Sequence, residues 1–199
     1  MNVTIFKNIY EKSQPHTITL SQALGRIQKG SSSTTVHEVR SGNKAKKMQL
    51  PAVLFSGEFS SRSDDNIKEH SGYIVLDFDH VEVEATKKVL ATDEYIFSCW
   101  ESPSGTGVKA LVRVSNPERH RDHFRALVRY FEGRYGLDLD ESGINESRAC
   151  FESYDPDIVI KTVSQKFGKF VSEEKFEEAP TEPSPQYTDY QKLNVAARM

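Results

Sequence analysis

The sequence predicts an α+β domain in which helices pack on an antiparallel or mixed sheet with a split βαβ (RRM-like) core. Three observations carry that expectation. Tyr73–Phe78 is a continuous apolar run, segments 95–100 and 108–114 form an apolar pair separated by ESPSGTG, and an amphipathic stretch begins at Asn116-Pro117 and stops at Gly136. Taken with the helical pattern at 83–91 and the short apolar segments after residue 148, the order is strand, helix, strand, strand, helix, strand.

Residues 2–10 alternate as a strand does, with Val3, Ile5 and Ile9 assigned to the buried side. Thr19 to Gly30 reads as a helix: Thr19 caps it, Gln22 completes a capping box, and Leu20, Ala23, Leu24 and Ile27 supply the apolar stripe. From Gly30 to Lys47 the chain is rich in Ser, Thr, Lys and Gly, and is expected to be exposed and partly mobile around a short strand at Thr35–Val39. Leu50–Ser56 is a short strand, and GEFSSRSDDNIKEHSG a polar connection.

Tyr73–Phe78 is the strongest strand, since an unbroken β-prone run is what a sheet covered on both faces requires. Val83–Ala91 is helical, and Tyr95–Trp100 pairs with Val108–Val114 as a hairpin whose loop exceeds a tight turn. In the last helix Asn116 is the cap, Pro117 sits in the first turn, and Phe124, Leu127, Val128, Phe131 and Tyr135 form the buried face. An acidic loop from Asp138 to Glu146 leads to strand candidates at 149–153 and 158–160. These elements make residues 1–170 one domain. Residues 171–199, acidic and containing prolines, read as a linker or disordered tail.

The 199 residues carry a formal charge of −3, and residues 1–170 hold 23 acids and 23 Lys or Arg, so nucleic acid contact would have to come from a local patch. Lys44, Lys46 and Lys47 are one such cluster, suited to a DNA backbone or simply to solubility. His120 and His123 with Arg119, Arg121 and Arg125 make a second, either a template-facing patch or a solvated helix face. Cys99 and Cys150 lie in apolar stretches without metal-ligand spacing, which fits a reduced cytoplasm. The start of the chain has no signal-peptide pattern and no apolar run approaches a membrane span, so a membrane-free, cytoplasmic protein, monomeric by default, is expected.

Side chains alternate along a strand, so Asp77 and Asp79 share a face while Phe78 points away. Two carboxylates this close either hold a cation, magnesium or manganese by preference, or decorate a solvated strand end. The loop SPSGTGVK bears on the choice. Gly105 and Gly107 permit a tight turn that aims backbone amides and the hydroxyls of Ser102, Ser104 and Thr106 at an anion, with Lys109 reaching the same phosphate; an ordinary hairpin connection is the alternative. A third acid is sought in FESYDPDIVI, where Asp155 follows an apolar run directly and Glu152 is the reserve. Asp138 and Asp140 are assigned to the exposed loop. Arg62 and Arg148 are candidates for clamping phosphates.

Four segments in this order, LPAVLFSGEFSSR, GYIVLDFDHV, SPSGTGVKALVRV and SRACFESYDPDI, resemble the BT4734-like N-terminal domain, which is found ahead of virulence-associated E-type helicase regions in phages and mobile elements. That domain is similar to the catalytic core of archaeo-eukaryotic primases, the primase-polymerase fold, and the resemblance spans residues 45–165. It implies that Asp77 and Asp79 form the first catalytic motif, Ser104 through Lys109 the second, and Asp155 the third, with Arg62 a basic residue upstream of the first. The chemistry implied is nucleotidyl transfer with two Mg2+ or Mn2+ ions held by Asp77, Asp79 and Asp155: primer synthesis on a single-stranded DNA template from nucleoside triphosphates. Ser102, Ser104, Gly105, Gly107, Lys109, Arg148 and Arg62 would hold the nucleotide. A helicase domain would follow in the parent chain, inside a bacterial cell or phage-infected host. Two other functions fit the same residues: an inactive primase-fold nucleic-acid-binding module, and a metal-dependent nuclease. The chain departs from the resemblance at Lys109, where the primase motif generally has histidine; lysine keeps a phosphate-binding charge at neutral pH.

Overall fold

Tyr73 to Leu76, buried without interruption, mark the layer around which the chain is built. The computed structural model describes residues 1–177. The chain enters through β1 (Asn2–Phe6) and β2 (His16–Thr19), then α1 (Leu20–Lys29). Thr19 and Gln22 make the reciprocal capping box, and Gly30, with φ of 78°, ends α1 in the left-handed conformation. Next come α2 (Ser33–Arg40), a 3-10 segment (Lys44–Gln49), β3 (Ala52–Leu54), β4 (Gly57–Phe59) and β5 (Ile67–His70). The second half holds β6 (Tyr73–Asp79), α3 (Val83–Thr92), β7 (Ile96–Glu101), β8 (Gly107–Arg113), α4 (His120–Tyr135), β9 (Cys150–Phe151), β10 (Val159–Ile160) and α5 (Glu173–Glu177).

The fold is α+β, with antiparallel sheets and packed helices. Its central sheet has the order β10-β7-β8-β6, and a second sheet the order β2-β1-β3-β9. Each face of the central sheet has its own core. Ile74, Leu76 and Phe78 of β6 pack with Leu90 of α3 and with Phe124, Leu127 and Phe131 of α4. The alternate residues Tyr73 and Val75, with Leu111 of β8 and Trp100 of β7, pack against α1 and the second sheet. Period-2 alternation therefore assigns each β6 side chain to one core or the other, which explains the unbroken apolar run. It also sends Asp77 and Asp79 toward the second sheet, and Phe78 onto Phe131, with ring centroids 5.3 Å apart.

Four expectations change. The stretch expected to be mobile, with a strand at 35–39, is helical, because Val36 and Val39 lie three apart and both are buried. Packing of that face outweighs the β-propensity of Thr and Val. The expected polar connection after Ser56 is a hairpin of β4 and β5 that buries Phe59; at Gly57 a Cβ would lie 2.2 Å from the Glu69 carbonyl oxygen. The first strand stops at Phe6, which joins Leu54 and Phe59 in a small cluster, and leaves Ile9 half-buried beyond it. Finally, residues 171–177, expected to belong to the tail, pack against α4: the Val171 amide donates to the Asp122 carbonyl, and Arg129 donates to the Phe176 carbonyl at 2.8 Å. The rest of that tail, 178–199, lies outside the described residues.

The basic face of α4 is also reassigned. His120 and His123 are buried, and the arginines meet acids: Arg119 and Arg125 reach Asp122, and Arg121 reaches Asp64 and Glu146. Most of its positive charge is therefore answered within the fold rather than presented to a template.

Candidate metal and phosphate site

Asp77 is half-buried and Asp79 exposed at the end of β6. Opposite them in β8 stand Lys109 and Gly107, in the register Asp77 to Lys109 and Asp79 to Gly107. The cross-strand pair becomes an ion pair between Lys109 Nζ and Asp77 Oδ2. Gly107 is required by close approach: a Cβ there would lie 2.6 Å from the Phe78 carbonyl oxygen and 3.2 Å from Asp79 Oδ1.

The third acid is Asp140, and this corrects the sequence expectation of Asp155. After α4 ends at Gly136 the chain runs extended, with Leu137 and Leu139 buried, and the Asp140 amide donates to the Asp77 carbonyl at 3.0 Å along the free edge of β6. Asp77, Asp79 and Asp140 each offer an oxygen, and all three lie within 4.8 Å of one another. The alternation Leu137-Asp138-Leu139-Asp140 was the available signal: it reads as a short extended segment that turns its acids away from the core. The assignment of Asp140 to an exposed loop missed it.

Asp155 is occupied elsewhere. Its buried carboxylate accepts from Lys87 Nζ at 2.6 Å, from the Glu101 amide at 2.8 Å and from the Asp157 amide at 2.9 Å. Glu101 immediately precedes the glycine-serine loop, so Asp155 braces that loop. The reserve, Glu152, is buried against Arg26 and Ser32.

The acids open into a cavity of about 520 Å3 whose lining includes Ser102, Ser104, Lys109, Arg62, Arg148 and Lys47. The hydroxyls of Ser102, Ser104 and Thr106 form a chain at 2.9 and 3.1 Å. The expected amide cradle is not available from two of its members. The Ser102 amide donates to Gly107 and the Gly105 amide to Ser102, so these amides are already engaged, while Ser102 and Ser104 line the cavity. Gly105 holds the turn at φ of 76°. Arg40, which the sequence did not single out, donates to the Ser102 and Tyr154 carbonyls at 3.0 Å and pairs with Glu101 at 2.9 Å, clamping the loop to α2.

Electrostatics keep the site charged. Burial works against the ammonium of Lys109, but the charges around it, those of the Asp77 and Asp79 carboxylates among them, outweigh it and leave its pKa raised. Burial pushes the Asp140 carboxyl up, and the hydrogen bonds from Ser142, then the charges of Arg148 and Lys109, hold it below the usual carboxylate range. Burial also raises the Cys150 thiol to about 11, so it is neutral here at physiological pH. Arg148 pairs with Asp140. Two buried polar atoms on the cavity wall, Asp77 Oδ1 and Arg62 Nη1, have no hydrogen-bond partner among the described residues. A desolvated carboxylate oxygen and a desolvated guanidinium nitrogen left in this way are suited to a cation and an anion respectively.

Of the three lysines expected near DNA, Lys47 lines the cavity and lies 5.4 Å from the centre of the Phe151 ring, Lys46 pairs with Glu38 at 3.4 Å, and Lys44 is exposed. His80 is exposed beyond β6 in the left-handed conformation, with φ of 56°.

Fold and site together define an α+β domain whose central sheet carries a cluster of three acids, close enough together to share a metal ion, faced by cations. The chain belongs to the family described as BT4734-like, N-terminal domain, which matches residues 45–159 and so takes in β6, β8, Asp140 and Arg148. No curated protein and no solved structure matches the chain. No helix among the described residues is long and apolar enough to cross a membrane.

Proposed function

We propose that this domain is a primase-polymerase-type nucleotidyltransferase that synthesises primers on single-stranded DNA during replication of a phage or mobile element. One observation carries the proposal: three acids converge at one end of the cavity while Lys109, Arg148 and Arg62 line the same space. Its volume falls within the range of roughly 300–1,000 Å3 typical of small-molecule sites. The family supports the reading, as does the position of β8 between β6 and β7, antiparallel to both, the neighbour order that a split βαβ core would have. The fourth strand, β10, joins on the β7 edge, where the order differs from an RRM.

The donor set fits a hard divalent cation: carboxylate oxygens only, with the Oδ1 of Asp77 buried and without a hydrogen-bond partner among the described residues. Asp77, Asp79 and Asp140 would hold one or two Mg2+ or Mn2+ ions, which when bound supply charge neutralisation at the phosphates and a lowered pKa for the attacking hydroxyl. The chain's own residues orient the nucleotide. Lys109 and Arg148 neutralise phosphate oxygens, Ser102 and Ser104 donate hydroxyl hydrogen bonds, and Arg62 offers a bidentate guanidinium. In the reaction a 3′-hydroxyl gives up its proton to solvent as its oxygen bonds to the α-phosphorus of the nucleotide, the bridging bond to the β-phosphate breaks, and pyrophosphate leaves.

The test is primer synthesis on single-stranded DNA with labelled nucleotides and magnesium or manganese. Extension products from the wild type, absent from an Asp79→Asn variant, whose exposed side chain can be changed without loss of the fold, are the expected result. Degradation of the DNA without nucleotides would identify a nuclease instead, and binding without either product would identify an inactive module.

A further inference from the structure

A second open groove of about 460 Å3 lies beside the acidic cavity, and Met48 lines both. One wall is the segment after β1, which brings Lys7 and Tyr10; the other is the start of α2, which brings Ser31, Thr34 and Thr35. Tyr10 is 74% exposed, unusual for so large a ring. It is held there by design of the turn: Asn8 Oδ1 accepts from the amides of Tyr10 and Glu11 at 3.0 and 3.1 Å. The same segment touches the acidic cavity, because the Arg62 amide donates to the Lys12 carbonyl.

Charge separates this groove from another of similar size. Among the described residues no carboxylate lines it, whereas a groove of about 440 Å3 beside α4 sets Asp64, Asp65, Glu69, Glu118 and Glu146 against only Lys68 and Arg121. The excess of acids in that groove repels a polyanion, whereas the groove beside the acidic cavity offers Lys7 and, among the described residues, no opposing carboxylate.

We infer that the groove between the post-β1 segment and α2 is a track for single-stranded DNA, in which Tyr10 stacks on a base while Lys7 and the hydroxyls of Ser31, Thr34 and Thr35 hold the sugar-phosphate backbone. The inference rests on the nucleotidyl-transfer reading, which needs a strand to reach the acidic cavity. An exposed ring beside a cation and hydroxyls is the combination that binds single strands without regard to sequence. Duplex DNA, whose bases are already stacked, has no face to offer Tyr10.

Fluorescence anisotropy with a labelled oligothymidine of about 16 nucleotides, in EDTA, tests the track separately from the metal centre. Tyr10→Ala is expected to weaken binding at least fivefold, roughly the lower bound for losing one stacked base. Lys7→Ala should lower the slope of log affinity against log salt by about 0.7, the value for one phosphate contact on a single strand. Lys68→Ala, in the acidic groove, should change neither. Wild-type affinity from Tyr10→Ala and Lys7→Ala together, equal affinity for a duplex, or no binding by the wild type overturns the track. Calorimetry with Mn2+ and a nucleoside triphosphate reads the metal centre on its own: its loss in the wild type would overturn the nucleotidyl-transfer reading, and its retention in Tyr10→Ala confines any DNA defect to the groove.

Discussion

Asp77 and Lys109 stand directly opposite each other on β6 and β8, and their side chains are ion-paired, while the second oxygen of Asp77 is buried without a partner among the described residues. One carboxylate thus compensates a buried cation with one oxygen and keeps the other for a ligand. Removing it strands the Lys109 charge, at a cost approaching the roughly 3–5 kcal/mol of a broken buried pair, softened by Asp79 nearby. Asp79 is exposed, so Asp79→Asn should shift stability by less than about 0.5 kcal/mol. We expect Asp79→Asn to lose Mn2+ binding by calorimetry with an unchanged urea midpoint, and Asp77→Asn to lose both binding and stability.

Gly107→Ala places a methyl group 2.6 Å from the Phe78 carbonyl oxygen and against Asp79. β6 and β8 must part where the acids converge. The expected cost is about 1–3 kcal/mol, the range for overpacking, together with weakened metal binding. Gly133→Ala, at a helical position where an added Cβ meets nothing within 4 Å, is the control that should not destabilise.

Asp155 distinguishes a brace from a ligand. Asp155→Ala leaves the Lys87 ammonium buried, with side-chain exposures in the pair of 8% and 4%, and should cost about 3–5 kcal/mol. Pairing it with Lys87→Met removes the stranded charge and should restore much of that loss. A metal ligand would behave oppositely: the affinity for Mn2+ would fall and no second change at Lys87 would rescue stability.

His70 and His120 predict the acid limit of the fold. The Gly72 amide donates to His70 Nδ1, so His70 carries its proton on Nε2 and donates it to His120 Nδ1 at 2.9 Å. Burial pushes His70 down to about 4, with His123 adding to it, and burial and then His70 push His120 down to about 3, against the opposing charge of Asp64. Both rings are neutral in the folded protein. Below the ordinary value of 6.5 the unfolded chain takes up protons that the folded one does not, so stability is complete above that pH and falls as pH drops toward 4. Urea titrations between about pH 7 and about pH 4.5 should show a loss of about 2 kcal/mol or more, reduced in His120→Asn.

Most of the central layer was legible because its signals are local. Tyr73–Leu76 needed only a run of β-prone residues, α1 only Thr19, Gln22 and Gly30, and the pairing of β7 with β8 only their adjacency across the loop. α2 was missed because Ser33-Thr34-Thr35-Val36 has no helical preference of its own and takes its conformation from burial of Val36 and Val39. The exchange of Asp155 for Asp140 has a similar origin. The alternation at 137–140 marks a short extended segment, but nothing local says that it lies along the edge of β6 or that Asp155 meets Lys87.

By itself the sequence determined that Asp77 and Asp79 share a face, since alternation along a strand requires nothing beyond the strand. The family followed from the motifs in order. Tertiary structure decided what gathers around that pair. It brought Lys109 across from Asp77 through the β6 and β8 register, laid residues 137–140 along the open edge of β6, and turned Asp155 into a brace for the loop. Those contacts join residues tens of positions apart, and their partners are chosen by which apolar faces the two cores bury, a property of the whole chain rather than of any segment.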